Sequence, residues 1–260
     1  MDLSIVIPVK NEADNIVPLA GEIRAALDGL ITYEILYVDD GSDDATATEI
    51  SRLAGTTPQV RLLRHTQNYG QSAAISTGVH AARGAWIATL DGDGQNDPAD
   101  LPPMWHLARQ ASPSAPILIT GYRERRRDNW SKRAASRIAN AIRARFLGDR
   151  TPDTGCGLKL FPRWLFLELP YFDHMHRFLP ALVLREGGMV LPVPVNHRPR
   201  HKGVSKYGVF DRLGVGVIDL LGVMWLQRRA PRPRSCHEVI TAVEPAAAAD
   251  PRLSASATVR

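Results

Sequence analysis

Four short runs rich in β-branched residues, Leu3–Val9, Glu34–Val38, Val60–Arg64 and Trp86–Leu90, alternate with stretches of helical character at about Asn15–Leu30, Thr46–Ala54 and Ser72–Arg83. Strands separated in this way pair in parallel by crossing over through the helices between them, so the pattern specifies an α/β fold with a doubly wound, mostly parallel sheet. Ligands of such sheets lie beyond the carboxyl ends of the strands. Here three of those ends read Pro8-Val9-Lys10-Asn11-Glu12, Asp39-Asp40-Gly41-Ser42 and Asp91-Gly92-Asp93-Gly94-Gln95. Function is therefore expected just after Ile7, Val38 and Leu90.

Downstream, Leu101–Gln110 reads as a helix, and Pro116–Thr120, Gly155–Phe161 and Met189–Val195 as strands. Within Trp130–Phe146, Ile138, Ile142 and Phe146 recur every four residues, which predicts a helix with an apolar stripe beneath a cationic face. The apolar segment Phe210–Leu226 is interrupted by Asp219 and ended by Gln227-Arg228-Arg229. Its uninterrupted part is shorter than the ~20 residues a bilayer crossing needs, and its basic flank suits a helix lying in a membrane interface. From about Ala230 the chain turns to Pro, Ala and Ser and loses periodicity, as disordered tails do. The expected organisation is an α/β domain over residues 1–209, an interfacial helix over 210–229 and a disordered tail over 230–260.

With 44% apolar and 23% charged residues, the 260-residue chain has enough apolar surface for one core, which excludes wholesale disorder. Cys156 and Cys236 make neither a disulfide framework nor a zinc pair. The opening residues carry no basic leader, so the expectation is a cytoplasmic protein. Charge is unevenly spread: Gly121–Arg150 holds ten Lys and Arg against three acids, a larger excess than the whole chain's +5. Further basic clusters occupy His197–Lys206 and Arg228, Arg229, Arg232 and Arg234. Phosphate in some form is the expected partner: nucleotide, lipid phosphate, anionic membrane or nucleic acid. The 6 Phe, 6 Tyr and 5 Trp do not interleave with the basic block as base-stacking platforms would, which argues against nucleic acid.

Alternate residues of an extended segment face the same side, so Asp91, Asp93 and Gln95 can turn three oxygens to one point. Magnesium and manganese take oxygen ligands and are commonly held by one or two carboxylates plus substrate phosphates. The plainer alternative is an Asp/Gly turn at a strand end. Asp39 and Asp40 can accept hydrogen bonds from a nucleobase or ribose, or Ser42 or Asp43 can simply cap the next helix. Pro8–Glu12 is open to reading as a polar loop. For His174 and His176, metal binding is disfavoured, because helix or loop placement separates them.

Taken together, these three loops resemble the nucleotide-sugar-binding half of family 2 glycosyltransferases, which have the GT-A fold, and in particular the polyprenyl-phosphate glycosyltransferases of the dolichyl-phosphate mannose synthase group. The resemblance runs from Leu3 to about Tyr207. It implies that Pro8, Asn11, Glu12, Asp39, Asp40 and Asp91 hold the donor nucleotide, and that Asp91, Asp93 and Gln95, followed by Asp97-Pro98, hold Mg²⁺ or Mn²⁺. Gly121-Tyr122-Arg123, the helix with Lys132-Arg133 and Ser136-Arg137, and Arg200-His201-Lys202-Gly203-Val204-Ser205-Lys206-Tyr207 are similar to the lipid-phosphate branch. They imply an acceptor-phosphate site of Arg123, Arg133, Arg200, Ser205 and Lys206, with Asp91, Asp93, Arg123, Arg133 and Arg200 carrying catalysis. Asp153–Lys159 occupies the place of an element lining the sugar site, with Cys156 as wall. Lys10 stands where many relatives have Tyr.

The resemblance thus implies an inverting enzyme moving a hexose, mannose first and glucose or N-acetylglucosamine next, from GDP-mannose or a UDP-sugar to dolichyl or undecaprenyl phosphate. Its expected setting is the inner face of the cytoplasmic membrane, on an anionic surface, with a small membrane protein as a further partner. The alternatives are transfer to a carbohydrate hydroxyl, against which the arginine excess argues, and a non-catalytic nucleotide-sugar-binding subunit of a membrane complex.

Overall fold

The computed structural model describes residues 1–112, 114–123, 143–149, 151–199 and 209–229. Seven strands, β1 (Leu3–Val9), β2 (Tyr33–Asp39), β3 (Val60–Arg64), β4 (Trp86–Thr89), β5 (Ile117–Arg123), β6 (Lys159–Pro162) and β7 (Met189–Val195), form one sheet in the order β3-β2-β1-β4-β6-β5-β7. The helices are α1 (Ala13–Leu27), α2 (Thr46–Thr56), α3 (Gln71–Ala81), α4 (Leu101–Gln110), α5 (Arg163–Glu168), α6 (Leu179–Arg185) and α7 (Val209–Gln227). β1 pairs in parallel with β2 and β4, β2 with β3, and β5 with β7. Only β6 among these strands runs antiparallel to its neighbours β4 and β5. The doubly wound, mostly parallel sheet expected from the strand-helix alternation is what forms.

Period-two alternation along β1 divides the core. Leu3, Ile5, Ile7 and Val9 join one apolar cluster with α1, α2 and α4, while Val6 joins another with α3, α5 and α6. α1 buries Ile16, Leu19, Ala20, Ile23 and Leu27, one stripe of a 3.6-residue period. α3 is built of small residues and lies close on the sheet. A Cβ on Gly78 would sit 3.1 Å from Val38 Cγ2 and closer still to Val6. Charge inside the sheet is compensated: the buried Glu34 carboxylate accepts from Ser4 Oγ, Arg61 Nη1 and Arg83 N, each at 2.6 Å.

Between β1 and β4 the strand order reverses direction, and the loops after these two strands diverge to open a crevice at their carboxyl ends. One sequence expectation changes in the second half. Residues 143–147 are helical, but Phe146 is 53% exposed while Arg143 is buried and ion-paired with Asp149 at 3.2 Å. At this end the expected apolar stripe gives way to a buried arginine, because Asp149 compensates it and Leu147 fills the core. The rest of the Trp130–Phe146 helix, and the tail over 230–260, lie outside the described residues. The C-terminal apolar segment is a helix, α7, as expected. It packs on the domain: Arg185 Nε donates to Leu226 O at 3.0 Å and Gln227 Nε2 to Leu147 O at 3.0 Å.

Candidate active site

The loops after β1 and β2 are stitched to one another. Asn11, with φ of 55°, donates its N–H to Ser42 Oγ at 2.9 Å and accepts from Asp43 N at 3.0 Å. Glu12 N donates to Thr46 Oγ1 at 2.8 Å, and Lys10 Nζ reaches Gly41 O at 3.5 Å. These polar residues therefore shape the crevice wall by holding one loop against the other. Asp39 ends β2 fully buried, and its Oδ1 accepts from Ser42 N at 3.0 Å. Its Oδ2 lies 3.3 Å from Arg64 Nε without a hydrogen bond. A buried oxygen with unused acceptor capacity is costly unless something comes to meet it, which suits recognition of an N–H or O–H.

The Asp40 carboxylate accepts from Tyr69 N at 2.9 Å and Gly70 N at 2.8 Å, and His65 Nδ1 lies 2.8 Å away. Three of the roughly four acceptor positions of the Asp40 carboxylate are thus taken by the loop before α3.

After β4 the chain turns at once. Gly94 has φ of 71°, Gln95 N donates back to Asp93 Oδ1 at 3.1 Å, and Asp91 N donates to Asn96 Oδ1 at 3.0 Å. The extended segment assumed for Asp91, Asp93 and Gln95 is therefore a turn, made at Gly94, which accepts left-handed backbone. The Gln95 side-chain Nε2 reaches Arg198 O at 3.5 Å. Asp91 faces the crevice, where Gln71 Nε2 donates to its Oδ1 at 3.0 Å. Burial first, and then the negative charge of Asp93, push its carboxyl up to about 6.

Behind Asp91 opens a cavity of about 390 Å³, a size suited to a small ligand. Pro8, Asp91, Arg123, Cys156, Lys159 and His176 are among the residues that line it. Gly157 forms the wall against Asp91: a Cβ there would lie 2.5 Å from Oδ1 and closer to the rest of the carboxylate. Lys159 is buried and donates to the carbonyls of Cys156 and Thr154, and burial lowers its pKa. Burial also pushes the Cys156 thiol up, as befits a wall residue. His176 Nδ1 lies 2.7 Å from Ser72 Oγ, and burial, with Lys159 and Arg177 nearby, holds its pKa well below 6.5.

Arg123 reaches the cavity, but its fork is occupied by Asp153, with Nε to Oδ2 at 2.6 Å and Nη2 to Oδ1 at 3.0 Å. Two of its five N–H donors thus serve Asp153, which fixes the orientation of the guanidinium at the cavity. Arg133, Arg200, Ser205 and Lys206 lie outside the described residues. The chain approaching Arg200 passes the Asp91 turn, since Arg198 N donates to Gln95 O at 3.0 Å and Arg198 Nη2 to Asn96 O at 3.0 Å. Gln71 and Ser72 belong to no motif of the sequence, and His176, weighed there only as a metal ligand, lines the cavity instead.

Donor chemistry favours a hard divalent cation here. Asp91 and Asp93 are close enough to repel, Gly157 leaves room for no more than the carboxylate, and oxygen is the ligand type both offer. Among the described residues no three acidic, His or Cys side chains gather as a complete cation cage, so such an ion would take its remaining ligands from substrate phosphate and water.

Glycosyl transferase family 2 matches residues 4–169 through its family model. The chain belongs to that family. It is similar to dodecaprenyl-phosphate galacturonate synthase of Rhizobium johnstonii, 35% identical over 241 residues covering 90% of this chain and 69% of that protein. An undecaprenyl-phosphate 4-deoxy-4-formamido-L-arabinose transferase of Edwardsiella ictaluri is 35% identical over 216 residues, 82% of this chain and 65% of that protein. The chain thus spans about two thirds of the length of these curated relatives. Glucosyl-3-phosphoglycerate synthase of Mycobacterium tuberculosis, solved with Mg²⁺ and UDP, shares the fold at a TM-score of 0.63 and 18% identity, over 87% of this chain and 79% of that one. The family 2 glycosyltransferase has the GT-A fold expected of it.

Proposed function

We propose that this glycosyltransferase moves a sugar from a nucleotide diphosphate sugar onto a polyprenyl phosphate, as the names of its 35% identical relatives suggest. The observation that carries the reading is the cavity behind Asp91, open at the carboxyl ends of β1 and β4 and walled by Lys159 and Arg123. It offers a sugar-sized space between the Asp91 carboxylate and the side chains of the buried Lys159 and the partly buried Arg123. In the reaction the bond between the anomeric carbon and the diphosphate breaks while an acceptor phosphate oxygen bonds to that carbon from the opposite side, inverting it. An acceptor phosphate is already ionised at neutral pH and needs no strong base.

Pro8, Asn11, Glu12 and Asp39 border the donor nucleotide, with Asp39 Oδ2 as acceptor for the base or ribose. Asp91 and Asp93, with Gln95 at the turn, would hold Mg²⁺ or Mn²⁺, which supplies charge neutralisation to the departing diphosphate. Lys159, held on the carbonyls of Cys156 and Thr154, and the Asp153-fixed Arg123 keep the shape of the cavity constant, so the acceptor approaches a prepared site. Arg133, Arg200, Ser205 and Lys206 remain assigned to the acceptor phosphate by resemblance.

α7 suits the membrane that holds such a lipid. No described helix is long and apolar enough to cross a bilayer. Val217, Ile218, Leu221 and Trp225 are each more than half exposed along α7, and the exposed Arg228 and Arg229 follow. An apolar face beside cations fits an anionic lipid surface, which supports a peripheral placement with residues 210–229 at the interface. Mannose, favoured in the sequence reading, finds no support among the two relatives named above, so the sugar is left to experiment. The test supplies the full chain with undecaprenyl phosphate, Mn²⁺ and labelled GDP-mannose, UDP-glucose, UDP-N-acetylglucosamine or UDP-galacturonate in turn. Label in the extracted lipid from one donor, abolished by EDTA, is expected; donor cleavage with all label left in water would contradict the lipid acceptor.

A further inference from the structure

We infer that Asp40 is a positioning residue for the Asp91 carboxylate, acting through the loop 65–70 and Gln71; the inference rests on the metal reading of Asp91 given above. Asp40 lies at the end of β2, 5% exposed. Its Oδ1 accepts from Tyr69 N at 2.9 Å and is met by His65 Nδ1 at 2.8 Å, while its Oδ2 accepts from Gly70 N at 2.8 Å. His65 is itself anchored on its other side, Nε2 to Thr77 Oγ1 at 2.9 Å, in the middle of α3. One carboxylate therefore ties the loop before α3 to the rim of the sheet and to the body of the helix.

That loop ends at Gly70, whose φ of 91° turns the chain into α3. The next residue, Gln71, is the one whose Nε2 donates to Asp91 Oδ1 at 3.0 Å, and Ser72 follows with its bond to His176. The backbone N–H groups that Asp40 holds, at Tyr69 and Gly70, thus immediately precede both side chains that order the cavity. Partners that orient a ligating carboxylate commonly change metal affinity 10–100-fold when removed, although they never touch the ion. Asp91 needs such a partner: it projects from a turn rather than from the strand itself, and Asp93 repels it.

The test is Mn²⁺ binding to the full chain with UDP as probe, followed by electron paramagnetic resonance, alongside UDP binding without metal by calorimetry. Gln71→Ala is expected to raise the Mn²⁺ dissociation constant about tenfold. Asp40→Asn, which sets an amide against backbone N–H groups, should do the same, and the double variant should fall within about twofold of the weaker single, since both act along one chain of contacts. UDP binding without metal should change less than twofold in each. Gln71 is exposed at the helix start, so Gln71→Ala reads the second link even if Asp40→Asn fails to fold. Thr77→Val, which loosens His65, then reads the first, with an expected weakening of about threefold. Unchanged Mn²⁺ affinity in Gln71→Ala, or effects that multiply in the double variant, would overturn the inference. So would an Asp40→Asn protein that loses metal-free UDP binding but keeps its Mn²⁺ affinity, which is the signature of a direct nucleotide contact. Absence of Mn²⁺ binding by the unaltered chain would overturn the metal reading itself.

Discussion

Asp91→Asn is expected to lower kcat/KM by about 10³-fold or more while leaving the fold intact. Polarisation of a departing phosphate by a bound divalent ion is worth several kcal/mol, and each ~1.4 kcal/mol is tenfold in rate. The neutral amide keeps the shape of the side chain and a contact with Gln71, so little packing is lost. In metal-free buffer the variant should melt at a higher temperature than the parent. Burial and Asp93 raise the Asp91 carboxyl from 3.8 to about 6, so the folded protein binds this proton more readily than the unfolded chain does. Ionised Asp91 therefore opposes folding fully above about pH 6, and the cost fades as pH falls toward 4. The gain in melting temperature should be present at pH 8 and small at pH 4. Added Mn²⁺ should raise the melting temperature of the parent and not of the variant. Equal activity in variant and parent would remove Asp91 from the chemistry.

Gly157→Ala should cost about 10²-fold in kcat/KM, the size of effect that a displacement near 1 Å brings at a reacting centre. The added methyl would fall on the Asp91 carboxylate. The backbone cannot yield easily, because Thr89 Oγ1 donates to Gly157 O at 2.6 Å and Gly121 N to Leu158 O at 2.9 Å. The carboxylate must therefore move, away from Gln71 and from the place where an ion would be held. Gly155→Ala is the matched control. Its methyl would meet Arg123 Nη2 and Asp153 Oδ1 at 3.5 Å, ordinary van der Waals contact, so activity within about threefold of the parent is expected. Steady-state kinetics on the two variants separate the close approach at 157 from a general demand for glycine in this loop.

Most of the fold and the rim of the site were legible in the sequence, for a definite reason. Parallel strands covered on both faces are short, continuous apolar runs, and in β1, β2 and β4 each run ends in a polar loop that marks the carboxyl edge. What escaped is the direction of side chains once a strand ends. Asp39 and Asp40 are adjacent in sequence, yet one keeps an oxygen without a hydrogen bond and the other is consumed by three partners 25–30 residues away. Asp91, Asp93 and Gln95 obey alternation only if extended, and Gly94 turns them instead. α6 was not seen because Leu179–Val183 is buried all round and shows no helical period. β6 runs antiparallel at a place where alternation of elements predicted more parallel pairing. Gln71 carries no motif and becomes visible only when α3 brings it within 3.0 Å of Asp91.

Phosphorus NMR of a turnover mixture containing the full chain, undecaprenyl phosphate, Mg²⁺ and the donor that labels lipid tests the account most directly. One phosphodiester should appear, and one nucleoside diphosphate be released, for each lipid phosphomonoester consumed. Release of nucleoside diphosphate with the lipid phosphomonoester signal undiminished would mean that the sugar goes to water or to a hydroxyl, and would contradict transfer to lipid phosphate.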